Sequence, residues 1–116
     1  MRVASRVFVD ALRRRASAEG AFATIVRAGA DHGGAIFVQV RQPTSNTLYG
    51  PAMAGLDRDD EAVGDDRRFT VLMHGDDAAV DERMARERAF DPDLWWVEVE
   101  DAQGRPFIDS DALRDE

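Results

Sequence analysis

Apolar and polar positions alternate along this chain with two different periods, and the changes between them mark its elements. From Ser5 to about Ala18, the residues Ala4, Phe8, Ala11, Leu12 and Ala16 recur at the spacing of one helix face. Ser5 stands where an N-cap belongs and Gly20 where a helix stops, while Arg13, Arg14 and Arg15 fall in the last turns, where cations complement the helix dipole. AFATIVRAG (21–29) then alternates with period two, Phe22, Thr24 and Val26 on one face and Ala23, Ile25 and Arg27 on the other. AIFVQVRQ (35–42) does the same, with Ile36, Val38 and Val40 inward and Phe37, Gln39 and Arg41 opposite. The short glycine-rich GADHGG between them predicts an antiparallel hairpin.

A short strand around Thr47 to Gly50 closes at Pro51, which cannot donate to a ladder. AGLDRDDEAVGDD, the most polar stretch, reads as an exposed loop, and RFTVLMH (68–74) as a fourth strand with Phe69, Val71 and Met73 on one side. Gly75, Asp76 and Asp77 open a second helix running to about Ala89, because aspartates suit a helix N-terminus. Val80 and Met84 lie one turn apart on its inner face, and Glu82–Arg86 and Arg83–Glu87 make i, i+4 pairs outside. Asp91-Pro92 ends it, since a residue before proline resists the helical region.

LWWVEVED is the last strand. Trp95, Val97 and Val99 point one way; Leu94, Trp96, Glu98 and Glu100 point the other, so the adjacent tryptophans form no common cage and Trp96 falls at a border between core and solvent. A turn at Gly104, an anchor at Phe107 and Ile108, and a charged end follow. The expected architecture is α+β, a mainly antiparallel sheet of about five strands with two helices packed on one face. Residues 1–108 form a single domain and 109–116 a charged tail. The expected core is Phe8, Leu12, Phe22, Ile25 or Val26, Ile36, Val38, Val40, Val71, Met84, Trp95, Val97 and Val99.

A length of 116 residues fits one domain with no need of a staple. The chain has no cysteine, which removes disulfides, thiolate metal sites and thiol nucleophiles and suits a reducing, cytoplasmic compartment. No apolar run approaches the ~20 residues of a membrane span. The arginine-bearing start is interrupted by Asp10 and reads as a helix of the fold rather than a targeting peptide. Charge is uneven: residues 1–41 hold seven arginines against three acids, and 42–116 hold eight against twenty, for a net charge of -8. An acidic chain repels phosphate backbones, so no nucleic-acid partner is expected.

Candidate chemistry is sparse. His32 and His74 are the only histidines, and their spacing fits no metal motif. The acidic run Asp57 to Asp66 lacks the ligand alternation, central glycine and closing glutamate of an EF-hand, so neither metal nor cofactor is expected. No nucleophile elbow, P-loop or dinucleotide fingerprint is present. Six residues are candidates for binding a ligand or partner: Arg13, Arg14, Tyr49, Asp91, Asp93 and Trp96. The arginines could meet an anion or end a solvated helix. Asp91 and Asp93 could divide acid and base roles, or terminate a helix and pair with arginine; Asp93 is expected to meet the Arg13 to Arg15 group. No catalytic residue is assigned.

ALRRR, GAFATIVRAG, GGAI, LYGP and above all FDPDLWWVEVED with the following GRPF resemble the bacterial domain of unknown function 1491 family, over about residues 3 to 107. Trp95 takes the place of that family's tryptophan, Trp96 occupies a more often aliphatic position, and the 54–66 loop falls in its variable part. The resemblance implies a small soluble bacterial α+β protein and no activity. Three functions stay open: a protein–protein interaction or regulatory module docking around Phe37, Trp96 and Glu98 or on an exposed edge strand; a small-molecule or anion binder using Arg13, Arg14 and Tyr49 near the Asp91 to Trp95 turn; and a carboxylate-dependent enzyme. A homodimer is compatible with each.

Overall fold

Helix α1 (Ser5–Ala18) buries Ser5, Val9, Leu12 and Ala16, a stripe at spacings of four, three and four. In this computed structural model, which describes residues 3–52 and 67–114, Ala4 rather than Ser5 holds the N-cap position. Ser5 lies inside the first turn instead, and its hydroxyl donates to the Gly33 carbonyl at 2.8 Å. Gly20, at φ 83°, stops the helix as expected, and the Ala21 amide returns to the Ala16 carbonyl.

Strands β1 (Phe22–Arg27), β2 (Ile36–Arg41), β3 (Asn46–Pro51), β4 (Phe69–Gly75) and β5 (Trp95–Glu100) form one sheet in the order β1-β5-β2-β3-β4. Three of the four pairings are antiparallel; β2 and β5 are parallel. The fold class is α+β. The expected β1–β2 hairpin is not formed: the two strands run antiparallel, but β5 lies between them. The connection that reads as a turn is a cradle. Gly29 and Gly34 press against Asp93 and Leu94, where a Cβ on either glycine would sit 2.0 Å from the Asp93 carbonyl oxygen.

The helices cover opposite faces of the sheet, not one. Val9 and Leu12 of α1 join Ile36, Val38, Val40, Trp95, Val97 and Val99. Val80 and Met84 of α2 (Asp77–Phe90) join Phe37, Leu48 and Leu94 on the other side. The reason lies in the strand order. The chain must cross from β4 at one edge to β5 beside the other, and α1 already occupies the first face. The central strand β2 is accordingly buried from Ile36 through Val40, as in a sheet covered on both sides. Asp76 caps α2, accepting from the Ala79 amide at 2.9 Å.

Two expected core residues lie outside. Phe22 is 76% exposed and Val71 38%. Phe22 pairs with Glu100, on the face of β1 that α1 does not cover. A register shift between Ile25 and Arg27 adds a residue to β1 and carries Arg27 to the face of Trp96, while Val26 stays 44% exposed. Beyond β5, Ile108 is buried, and the chain then reaches β4: Leu113 bridges Phe69, and the Arg114 amide donates to the Phe69 carbonyl at 2.8 Å.

Trp95 is 1% exposed, with its indole N–H donating to the Ala30 carbonyl at 2.7 Å, whereas Trp96 is half-buried. Trp95→Ala is expected to cost roughly 3–5 kcal/mol and Trp96→Ala less. Urea unfolding of both variants checks this, and the reverse order would invert the assignment of the two faces.

Candidate functional site

Hydrogen bonds from three segments converge on the turn that opens β5. Asp91 accepts from its own turn at the Asp93 amide (3.0 Å) and from the Ala35 amide (2.9 Å). The Ala30 amide donates to the Asp93 carbonyl, the Trp95 amide to Ala35, and the Arg27 guanidinium to Pro92. Asp91 is thus committed to backbone amides and Asp93 is exposed. Nothing here desolvates a carboxyl pair, as divided acid and base roles require.

Asp93 does not meet the arginine triplet. Register places Phe22, just beyond α1, opposite Glu100 at the far end of β5, while Arg27 lies opposite Trp96. The cation at the turn is therefore Arg27. Arg15 donates instead to the Phe107 carbonyl at 2.7 Å. Tyr49 sits half-buried on β3, against the α1-side core, and burial pushes its phenol pKa up. The anion site imagined from Arg13, Arg14, Tyr49 and the Asp91 to Trp95 turn is thus split among three places.

Trp96 belongs to a polar chain that sequence reasoning missed. Its indole donates to Gln39 (3.0 Å), Gln39 to Asn46 (2.9 Å), and Asn46 to Asp77 (2.9 Å) in the first turn of α2. Arg41 donates to both Asp77 oxygens and to Glu98. Hydrogen bonds from Arg41, then from Asn46, hold the Asp77 pKa below its ordinary value. Gln39 and Asn46 are buried, and each finds its partner in the chain. The network pins the start of α2 to β2, β3 and β5. A hollow of about 350 Å³ opens beside it, walled by 41–46 and 76–78. The one sequence signal was Gln39, a polar residue interrupting an otherwise apolar strand.

The two flanks of α1 make two further hollows. One, about 330 Å³, lies between Val7, Phe8 and Ala11 and the pair Arg67 and Arg68. Both arginines are buried and engaged: Arg67 donates to the Val3 carbonyl and Ser5 hydroxyl, and Arg68 to the Arg67 carbonyl. The other, about 520 Å³, lies between Asp10, Arg13, Arg14 and Ser17 and the start of β1 at Phe22 and Ala23.

His32 and His74 stand apart, His74 hydrogen-bonded to Thr47 at 3.0 Å. Among the described residues, no group of three or more His, Cys, Asp or Glu could hold a metal ion, and no helix is long and apolar enough to cross a membrane. The acidic 57–66 run lies outside the described residues.

A family model described as "Protein of unknown function (DUF1491)" matches residues 3–109. The chain belongs to the DUF1491 family. It is similar to the solution structure of protein Atu0922 from A. tumefaciens, with 37% identity and a TM-score of 0.81 over 100% of this chain and 98% of that one. It is also similar to the crystal structure of a DUF1491 family protein from Caulobacter crescentus CB15, with 29% identity and a TM-score of 0.79 over 98% and 99% of the two chains. No curated protein matches. DUF1491 membership thus fixes the fold family and brings no activity with it.

The block behind β5 carries its own electrostatic test. Asp101 takes two side-chain hydrogen bonds at 2.9 Å and a backbone one at 2.8 Å from Arg105, which hold its pKa down to about 2 against an ordinary 3.8. A lowered folded-state pKa stabilises fully above the unfolded value and is lost as pH falls through the folded one. Asp101→Asn is therefore expected to lower the urea midpoint at neutral pH, with the deficit shrinking as pH falls from around 3.8 through about 2 and lost below that. A pH-independent deficit would assign the effect to packing.

Proposed function

We propose that this DUF1491 chain is a bacterial, cytoplasmic protein–protein interaction module that docks through the β1 edge and the uncovered half of the sheet beside it. One observation carries the reading: among the described residues β1 is an open edge strand, and its outer face presents an aromatic side chain, Phe22, that is 76% exposed. Natural edge strands are usually blunted by charge, proline, twist or cover. The sequence FATIVR offers one terminal arginine and one bulge. The other edge is treated differently, since Leu113 and Arg114 lie along the start of β4.

Helix α2 packs on β3 and β4, leaving Thr24, Val26 and Glu100 exposed and Trp96 and Glu98 half-exposed on the same side. Phe37 drops out of the expected docking surface because it is buried beneath α2. The separation of Arg13, Arg14, Tyr49 and Asp91 weighs against the anion-binder reading, and the commitment of Asp91 to its turn weighs against a carboxylate enzyme.

Native mass spectrometry of the tagged chain, purified gently from its source cells, tests the module. A second protein in fixed ratio is expected with the wild type and absent with Phe22→Asp. Thermal unfolding should change little, because exposed substitutions typically cost under about 0.5 kcal/mol. A wild type that travels alone, or a partner retained by Phe22→Asp, would overturn the proposal.

A further inference from the structure

Helix α1 starts beside Asp31 and Gly33 and ends at Ala18, shortly before β1, so it runs antiparallel to that strand. Its lateral stripe of Asp10, Arg13, Arg14 and Ser17 forms one wall of the 520 Å³ groove, and the start of β1 forms the other. Among the described arginines, only the side chains of Arg13, Arg14 and Arg88 make neither an ion pair nor a hydrogen bond. The others are engaged: Arg6 with Asp31, Arg27 with Pro92, Arg83 with Glu87, Arg105 with Asp101, for example. Two uncommitted cations therefore face one groove on a protein whose net charge is -8.

Resting on the reading of the chain as an interaction module, we propose that this groove accepts an extended, acidic segment of a partner protein as an added strand along β1. Three features select that occupant. First, every second residue of an edge strand turns both its N–H and its C=O outward, and another peptide backbone answers that pattern of donors and acceptors, as a nucleic acid does not. Second, side chains of an added strand alternate between faces. Those on the α1 face enter the groove under Arg13 and Arg14, so carboxylates are favoured there. Those on the other face extend the row begun by Phe22 and Thr24, so apolar or β-branched residues are favoured there. Third, Asp10 lies a turn before the arginines, toward the Arg27 end of β1, and disfavours acids at that end.

A second copy of this chain fits less well. Its own edge, FATIVR, contains no acid and ends on Arg27, so it brings no countercharge to Arg13 and Arg14.

The probe is a blocked peptide of about six residues, the usual strand length, alternating Glu and Val, with an alternating Lys and Val peptide as control. Amide signals of the whole chain are followed by NMR. The Glu peptide is expected to shift Phe22 to Arg27 and Arg13 to Ser17, to slow solvent exchange in β1, and to bind at least about tenfold more tightly than the Lys peptide. The double variant Arg13→Gln, Arg14→Gln, whose side chains are exposed, is expected to erase that preference with the rest of the spectrum unchanged. Equal binding of both peptides at β1 would overturn the acidic partner and leave edge docking standing. No shift at β1 with either peptide, alongside a natural partner that Phe22→Asp still releases, would overturn strand addition and leave the module standing. Shifts of β1 on concentrating the protein alone would name a second copy as the occupant and overturn the proposal.

Discussion

Asp91 commits both carboxylate oxygens to backbone amides, one in its own turn and one on Ala35, and so fixes where β5 begins. Around that contact the 28–35 segment closes as a cradle: the Ala30 amide donates to Asp93 and the Trp95 amide to Ala35, the Trp95 indole reaches the Ala30 carbonyl, and Ser5 ties α1 to Gly33. The consequences run outward. With its first residue seated there, β5 enters between β1 and β2, and the strand order follows. β2 and β5 become interior strands, β2 buried on both faces and β5 on the α1 face, the β4-to-β5 crossing takes the free face, and β1 is pushed to the edge. A carboxylate bonded to two backbone amides makes charge-assisted hydrogen bonds, which links one residue to the topology.

Much of this fold is legible in the sequence, and what is not has specific causes. Periodicity gives α1 and α2 nearly to the residue, and alternation in LWWVEVED separates Trp95 from Trp96 correctly, because both signals are local. The hairpin fails because glycine carries two meanings. A short glycine-rich link between β-rich runs signals a tight turn, but Gly29 and Gly34 are small here so that another backbone can lie on them, and that backbone comes from 60 residues further along. Phe22 fails for a related reason. An aromatic residue in an alternating strand implies burial only if its face is covered, and coverage depends on which strands the helices reach. Ser5 fails as an N-cap because its hydroxyl has a tertiary partner.

The candidate residues divide along the same line. Asp91 and Trp96 stand out in the sequence because they are polar or aromatic where a strand begins, and both have partners within the fold: one anchors the turn, the other joins the chain through Gln39 and Asn46 to Asp77. A polar group that has met its hydrogen-bonding partners has little left to offer a ligand. Arg13 and Arg14 have made no such commitment, and composition alone cannot separate them from Arg15, one residue on, which is held by Phe107.

The contrast between the two edges of the sheet gives the remaining surface its meaning. β4 is accompanied at its start by the returning chain, where Leu113 and Arg114 take up positions beside Phe69. β1 has no such companion among the described residues, although FATIVR is the kind of β-branched, weakly charged strand that most needs one. Its bulge at Ile25/Arg27 twists one end away from flat pairing, which limits open-ended growth, but the Phe22 end remains regular and opens beside the groove that carries the uncommitted Arg13 and Arg14. An edge guarded at one end and offered at the other, next to positive charge, discriminates among strands rather than repelling all of them. That selectivity is what separates a docking site from an aggregation hazard.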